Sequence, residues 1–149
     1  MPEQEKFAWA SLIASVLVWA YFAMRMTDGG SVVEVAARHM IFSYVTLVVM
    51  FTASHAIIAT VLAAGRRSQV MRDERDLAIE ARAERVEGYV VVALVNLLVI
   101  QALAEAAFPG HLLPRFDLGS VPTLVFALIT ALFAGHVAKQ LATLWLYRA

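Results

Sequence analysis

The sequence predicts an all-α integral membrane protein: a four-helix bundle with a charged amphipathic helix before the third crossing. Three observations lead there. Hydrophobic residues make up 61% of the 149-residue chain and charged ones only 16%, where soluble domains run at about half apolar and roughly a quarter charged. The apolar residues fall into four runs, each long enough for the ~20 residues that cross a ~30 Å hydrocarbon core. Charge, in contrast, is concentrated: six of the twelve basic residues and six of the twelve acidic ones lie between Arg66 and Glu87. The length suits a single domain, and no part of the chain is left over for a soluble one. Cysteine is absent, which excludes disulfides, thiolate metal sites, iron–sulfur clusters and c-type haem attachment. Formal net charge is zero, so no global field favours nucleic acid.

The first crossing is expected over residues 7–26, after a short polar start. A cleaved signal peptide is the competing reading. Glu3 and Glu5 against the lone Lys6, with no small-x-small site after the apolar run, argue against it. Ala8, Ser11 and Ser15 give this helix a small-residue face suited to close contact with another helix. Asp28-Gly29-Gly30-Ser31 is a turn signal. The second crossing is expected over 36–64, longer than a bilayer requires, so that it tilts or protrudes. A charged segment spans 65–88. The third crossing is expected over 89–108 and ends at Pro109-Gly110. The fourth covers 121–147, with Pro122 in its first turn, where a missing N–H does no harm. His136, Lys139, Gln140, Thr143 and Tyr147 share one face of its second half.

Four crossings put both termini and the charged segment on one side. Lys6, the six arginines of the segment, Lys139 and Arg148 lie there, against Arg25, Arg38 and Arg115 opposite. The positive-inside rule makes both termini cytoplasmic.

Within the segment, Asp73 is placed to cap a helix. At about 100° per residue, Asp73, Asp76, Glu80, Glu84 and Glu87 form one acidic stripe roughly 80° wide, with Arg72, Arg75, Arg82 and Arg85 on the opposite side. Ile79, Ala83 and Val86 lie between. Asp76/Glu80 and Glu80/Glu84 are like-charged i,i+4 pairs, each unfavourable by a few tenths of a kcal/mol. Sorted faces of this kind imply that each meets something. The arginines suit anionic lipid headgroups. The acids suit a cytoplasmic protein partner, a divalent cation or the arginines of a second copy in a homodimer. The bland alternative is a solvated extension of the third helix that only sets topology.

The run Asp73-Glu74-Arg75-Asp76-x-x-Ile79, followed by Arg82-Ala83 and a hydrophobic segment, resembles the juxtamembrane motif of a group of small, uncharacterised prokaryotic multi-pass membrane proteins. There a D-E-R-[D/T]-x-x-I run precedes a membrane helix. The resemblance implies a bacterial or archaeal cytoplasmic (inner) membrane protein and brings no activity with it. Some members look linked to small helix-turn-helix regulators, which implies a sensor or sequestration role. With that, the leading expectation is a non-enzymatic regulatory or interaction protein working through Asp73, Glu74, Arg75, Asp76, Ile79, Glu80, Glu84 and Glu87.

Polar groups inside a bilayer are the second source of function. Counted from the charged side, His55, Asn96 and His136 lie at similar depth, roughly 12–15 Å in at 1.5 Å per residue. Two imidazoles and an amide can therefore converge. A b-type haem held by His55 and His136 is one use. Another metal ion on the same pair is a second, though a transition metal would want a third or fourth ligand and no carboxylate lies at that depth. A proton-coupled transport path through His55, His136 and Lys139 is the third. The alternative is that each His simply hydrogen-bonds a neighbouring helix. Glu105, the only acid within a crossing, and Gln101 lie near the outer end. The four-crossing layout is similar to that of small multidrug exporters, which carry an essential Glu in the first crossing; none lies between Phe7 and Met26. Glycine-rich phosphate loops, H-E-x-x-H and G-x-S-x-G are absent, so an enzyme is not expected.

Overall fold

The computed structural model describes residues 3–28, 31–32, 37–64, 74–107 and 118–148. These form four α-helices and one small hairpin: α1 (Glu3–Met26), β1 (Thr27–Asp28), β2 (Ser31–Val32), α2 (Ala37–Ala64), α3 (Glu74–Ala107) and α4 (Val121–Arg148). All four helices are long and apolar enough to cross a membrane. The hairpin pairs Thr27 with Val32 and Asp28 with Ser31. That register leaves two glycines between the strands, as the turn signal predicts.

α1 is the central helix, packed on α2 at one side and α4 at the other, and α4 in turn packs on α3. The spatial order is therefore α2, α1, α4, α3. α1 buries a stripe at Ala8, Ser11, Ser15, Val18, Phe22 and Met26, spaced by threes and fours as a helix facing neighbours requires. The stripe changes character along its length. Its large half, Val18, Phe22 and Met26, joins Leu47 of α2 with Ile129 and Phe133 of α4 in the apolar core. Phe22 stacks on Phe126 with centroids 5.9 Å apart, and Phe51 meets Phe133 edge-on at 5.2 Å. Trp19 Nε1 donates to Thr130 Oγ1 at 3.2 Å. Its small half, Ala8 to Ser15, lets the helices close tightly at the other end, as expected for small residues. Ser15 satisfies its own hydroxyl by donating to the Ser11 carbonyl at 2.7 Å.

α3 is one continuous helix of 34 residues, roughly 50 Å long at 1.5 Å per residue. The charged stretch from Glu74 onward is its first part and not a separate helix, and Gly88 does not break it. Alanine-rich composition and the lack of proline sustain it. Asp73, the expected cap, lies outside the described residues, as do Arg66, Arg67 and Arg72. Ile79 and Ala83, placed by the sequence between the two charged faces, are buried.

The two glycines of the α3–α4 pair have opposite roles. At Gly135 an added Cβ would come within 2.3 Å of Val91 Cγ2 and 3.3 Å of the Glu87 carbonyl oxygen. Only a bare backbone permits this approach, and it brings the Glu87 side chain beside His136. At Gly88 an added Cβ meets nothing within 4 Å. Gly88→Ala is therefore expected to stabilise the helix by ~0.5–1 kcal/mol. Gly135→Ala is expected to destabilise by ~1–3 kcal/mol through overpacking. Thermal unfolding of the purified protein in detergent checks both signs.

Candidate functional site

Where the small half of α1 passes between α2 and α4, three helices bring polar groups to one point. His55 of α2 and His136 of α4 converge, with Nε2 atoms 3.3 Å apart. Ser11 of α1 sits against both, its Oγ 2.7 Å from His55 Nε2 and 3.2 Å from His136 Nε2. Gln140, one turn on from His136, places its amide nitrogen 3.2 Å from the same His136 Nε2. The far edge of each ring also has a neighbour. His55 Nδ1 lies 2.9 Å from the Phe51 carbonyl, an acceptor, so Nδ1 carries the proton and Nε2 the lone pair. His136 Nδ1 faces Glu87 Oε1 at 3.7 Å, which favours the same tautomer. Both Nε2 lone pairs then point inward. The Ser11 hydroxyl donates to one and the Gln140 amide to the other, so the cluster is satisfied while both rings are neutral. Phe51 closes the apolar side, its ring 4.2 Å from that of His55 and 5.2 Å from that of His136.

The acidic stripe of α3 faces α4. Lys139 Nζ reaches Glu84 at 3.3 Å and Glu87 at 3.5 Å. The Tyr147 hydroxyl donates to Asp76 Oδ1 at 2.7 Å and also touches Gln4 of α1. Arg148 lies 3.9 Å from the buried Glu5. This is the physical answer to the like-charge repulsion along the stripe: the polar face of α4 supplies the compensating groups. Asp76, Glu84 and Glu87, expected from the sequence to meet a partner, a cation or a second copy, have these contacts within the chain. On the other side of α3, Glu74, Arg75, Arg82 and Arg85 are exposed.

A cavity of about 490 Å³ reaches the cluster from this charged end. Gln4, Ala59, Glu80, Lys139, Gln140 and Thr143 line it, with His136 among them. A second cleft of about 300 Å³, walled by Tyr44, Val48 and Phe51 of α2 and Val91 of α3, also reaches His136. His136 thus borders both, the first of mixed lining and the second mainly apolar.

Asn96 does not join the histidines: it is exposed, and its amide donates to the Val92 carbonyl of its own helix at 2.8 Å. Gln101 is half-buried, and the Glu105 side chain lies outside the described residues. Sequence reasoning singled out Ser11 only as a small packing residue and Gln140 only as part of a polar face. The signal for both was available. Ser11 lies at the depth of His55 and His136 when counted from the charged end, and Gln140 is four residues after His136.

A b-type haem on this pair would require the two rings to part and Ser11 to move aside. Two axial imidazoles on opposite sides of one metal need Nε2 atoms roughly 4 Å apart, twice a bond of about 2.0 Å. Here they are 3.3 Å apart with the Ser11 hydroxyl within bonding distance of both. Among the described residues no three His, Asp or Glu side chains converge on a metal position.

The two polar networks differ in depth and should differ in energetic weight. Ser11→Ala leaves a half-buried imidazole nitrogen without its donor and is expected to cost about 1–3 kcal/mol. The Lys139–Glu84 pair, with Glu84 58% exposed, should show a coupling below about 1 kcal/mol in a double-mutant cycle. Unfolding in detergent reads both.

No family model, curated protein or solved structure matches this chain.

Proposed function

We propose that the protein is a small multi-pass carrier of the cytoplasmic membrane. Its solute enters from the charged end and binds on the His55–Ser11–His136 cluster. The observation that carries this reading is the cavity: it leads from the charged end to His136 and Gln140, between helices long and apolar enough to cross a membrane. A cluster that served only to fasten helices would have no need of such an approach. The distribution of basic residues supports cytoplasmic termini, so the cavity opens to the cytoplasm. The cleft on the other side of His136 supports a second, alternating exit. Catalysis plays no part in this reading.

Regulation through the charged helix is the second reading, and the exposed outer side of α3 favours it. In this version the basic face, Arg75, Arg82 and Arg85, meets anionic lipid, a cytoplasmic protein or a second copy. The double charge reversal Arg82→Glu, Arg85→Glu should then abolish dimer formation or partner capture, whereas Glu84→Lys should act mainly on stability. Unchanged association of the arginine variant would count against this reading.

The absence of native cysteine makes the carrier reading directly testable. Thr143→Cys in the cavity wall should react with a membrane-impermeant maleimide from the cytoplasmic face. Val49→Cys, on the outer surface of α2 at 59% exposure, should stay unreacted in the bilayer. A Thr143→Cys protein inert from both faces would overturn the carrier.

A further inference from the structure

We infer that the cargo is a borderline transition-metal dication of the zinc type. It is held between His55 and His136, with the Ser11 hydroxyl and the Gln140 amide oxygen completing the shell. The inference rests on the carrier reading for the word cargo, and on the cluster geometry alone for the metal.

Two metal–imidazole bonds of about 2.0–2.1 Å at a tetrahedral angle hold their nitrogens roughly 3.3–3.4 Å apart. The observed separation of the Nε2 atoms is 3.3 Å. Ser11 Oγ, at 2.7 and 3.2 Å from those nitrogens, stands at the third corner; its shorter edge is a hydrogen-bond distance, so the hydroxyl must shift outward by roughly 0.6 Å to reach a tetrahedral position. The Gln140 amide, now turned with nitrogen toward His136, presents its oxygen when rotated; both ends of an amide occupy the same volume.

The outer groups match the inner ones. Imidazoles that bind metal characteristically offer the other ring nitrogen to a carbonyl or carboxylate, which fixes the tautomer and raises basicity. His55 has the Phe51 carbonyl at 2.9 Å and His136 has Glu87 at 3.7 Å. The Phe51 carbonyl is at hydrogen-bond distance and fixes the His55 tautomer; Glu87, at ion-pair distance from His136, favours the same one there.

Selectivity and reversibility follow from the donor set. Imidazole nitrogen selects zinc, copper, nickel or cobalt over magnesium and calcium, which prefer all-oxygen shells. With neither thiolate nor carboxylate in the inner shell, and with Ser11 and Gln140 able to satisfy both rings in the ion's absence, the site fills and empties without stranding a buried group. The approach is lined by one acid, Glu80, and one base, Lys139, and Lys139 is itself held by Glu84 and Glu87.

The test uses the full chain without a polyhistidine tag, purified in detergent and titrated with Co2+ as a spectroscopic stand-in. One Co2+ per chain should give the intense visible bands of a tetrahedral site, and Zn2+ should displace it. His55→Gln and His136→Gln should lose the bands, while His39→Gln, on an exposed residue of α2, keeps them. Glu87→Gln should weaken binding about 10–100-fold with the bands retained, as loss of an outer partner does. Should the histidine variants fail to fold, Ser11→Ala and Gln140→Leu serve in their place, each shifting the spectrum. Absence of stoichiometric Co2+ binding, or bands that survive loss of both histidines, would overturn the metal. If Thr143→Cys is labelled and Co2+ does not bind, the carrier stands and the metal falls. Co2+ bound by a protein whose Thr143→Cys is inert sinks the carrier and leaves a sealed metal site.

Discussion

Three helices meet at one small side chain, Ser11, which is fully buried. Anything larger would hold α2 and α4 away from α1. Anything apolar would leave two imidazole nitrogens facing each other with one donor fewer between them. Smallness and polarity are both required at this position. A buried polar atom without a partner costs about 1–3 kcal/mol, and more in hydrocarbon than beside water. The rest of the cluster is arranged so that none is left in that state: no buried side-chain nitrogen or oxygen lacks a partner among the described residues.

Gly135 makes the corresponding demand on the other side of α4. Its missing side chain brings α3 close enough for Glu87 to face the edge of His136 while Lys139 spans Glu84 and Glu87. The two networks, one of neutral hydrogen bonds and one of charges, are therefore joined through a single imidazole. Along this line the molecule changes from an apolar core near Phe22 and Phe133, through a compact polar centre, to a charged end where Gln4, Asp76 and Tyr147 meet. The cavity lies at the charged end of this gradient, away from the apolar core.

The helix order matters as much as the contacts. Because α2 and α3 occupy the two ends of the row, they face each other across the second cleft and share no seam like those of the consecutive neighbours. A tightly closed bundle would bury His136 from that side. The open arrangement leaves it bordering a second cavity besides the one that approaches from the charged end.

Much of this was legible without coordinates. Four apolar runs predicted four long helices, because in a bilayer each backbone N–H and C=O of such a run would need a partner within it, and their limits agree with the observed helices to within a few residues except where α3 starts early. Small residues at 8, 11 and 15 implied a close helix contact, and equal counting depth brought His55 and His136 to one level. Periodicity, however, specifies which face of a helix a residue occupies, not which neighbour that face meets. The spatial order α2, α1, α4, α3 decided that the acids of α3 are answered by Lys139 and Tyr147 of α4, that Asn96 points away, and that Ser11 rather than Asn96 stands between the histidines. Those outcomes depend on distances between segments far apart in the chain, set by how closely Ser11 and Gly135 let their helices approach, and no local pattern encodes them.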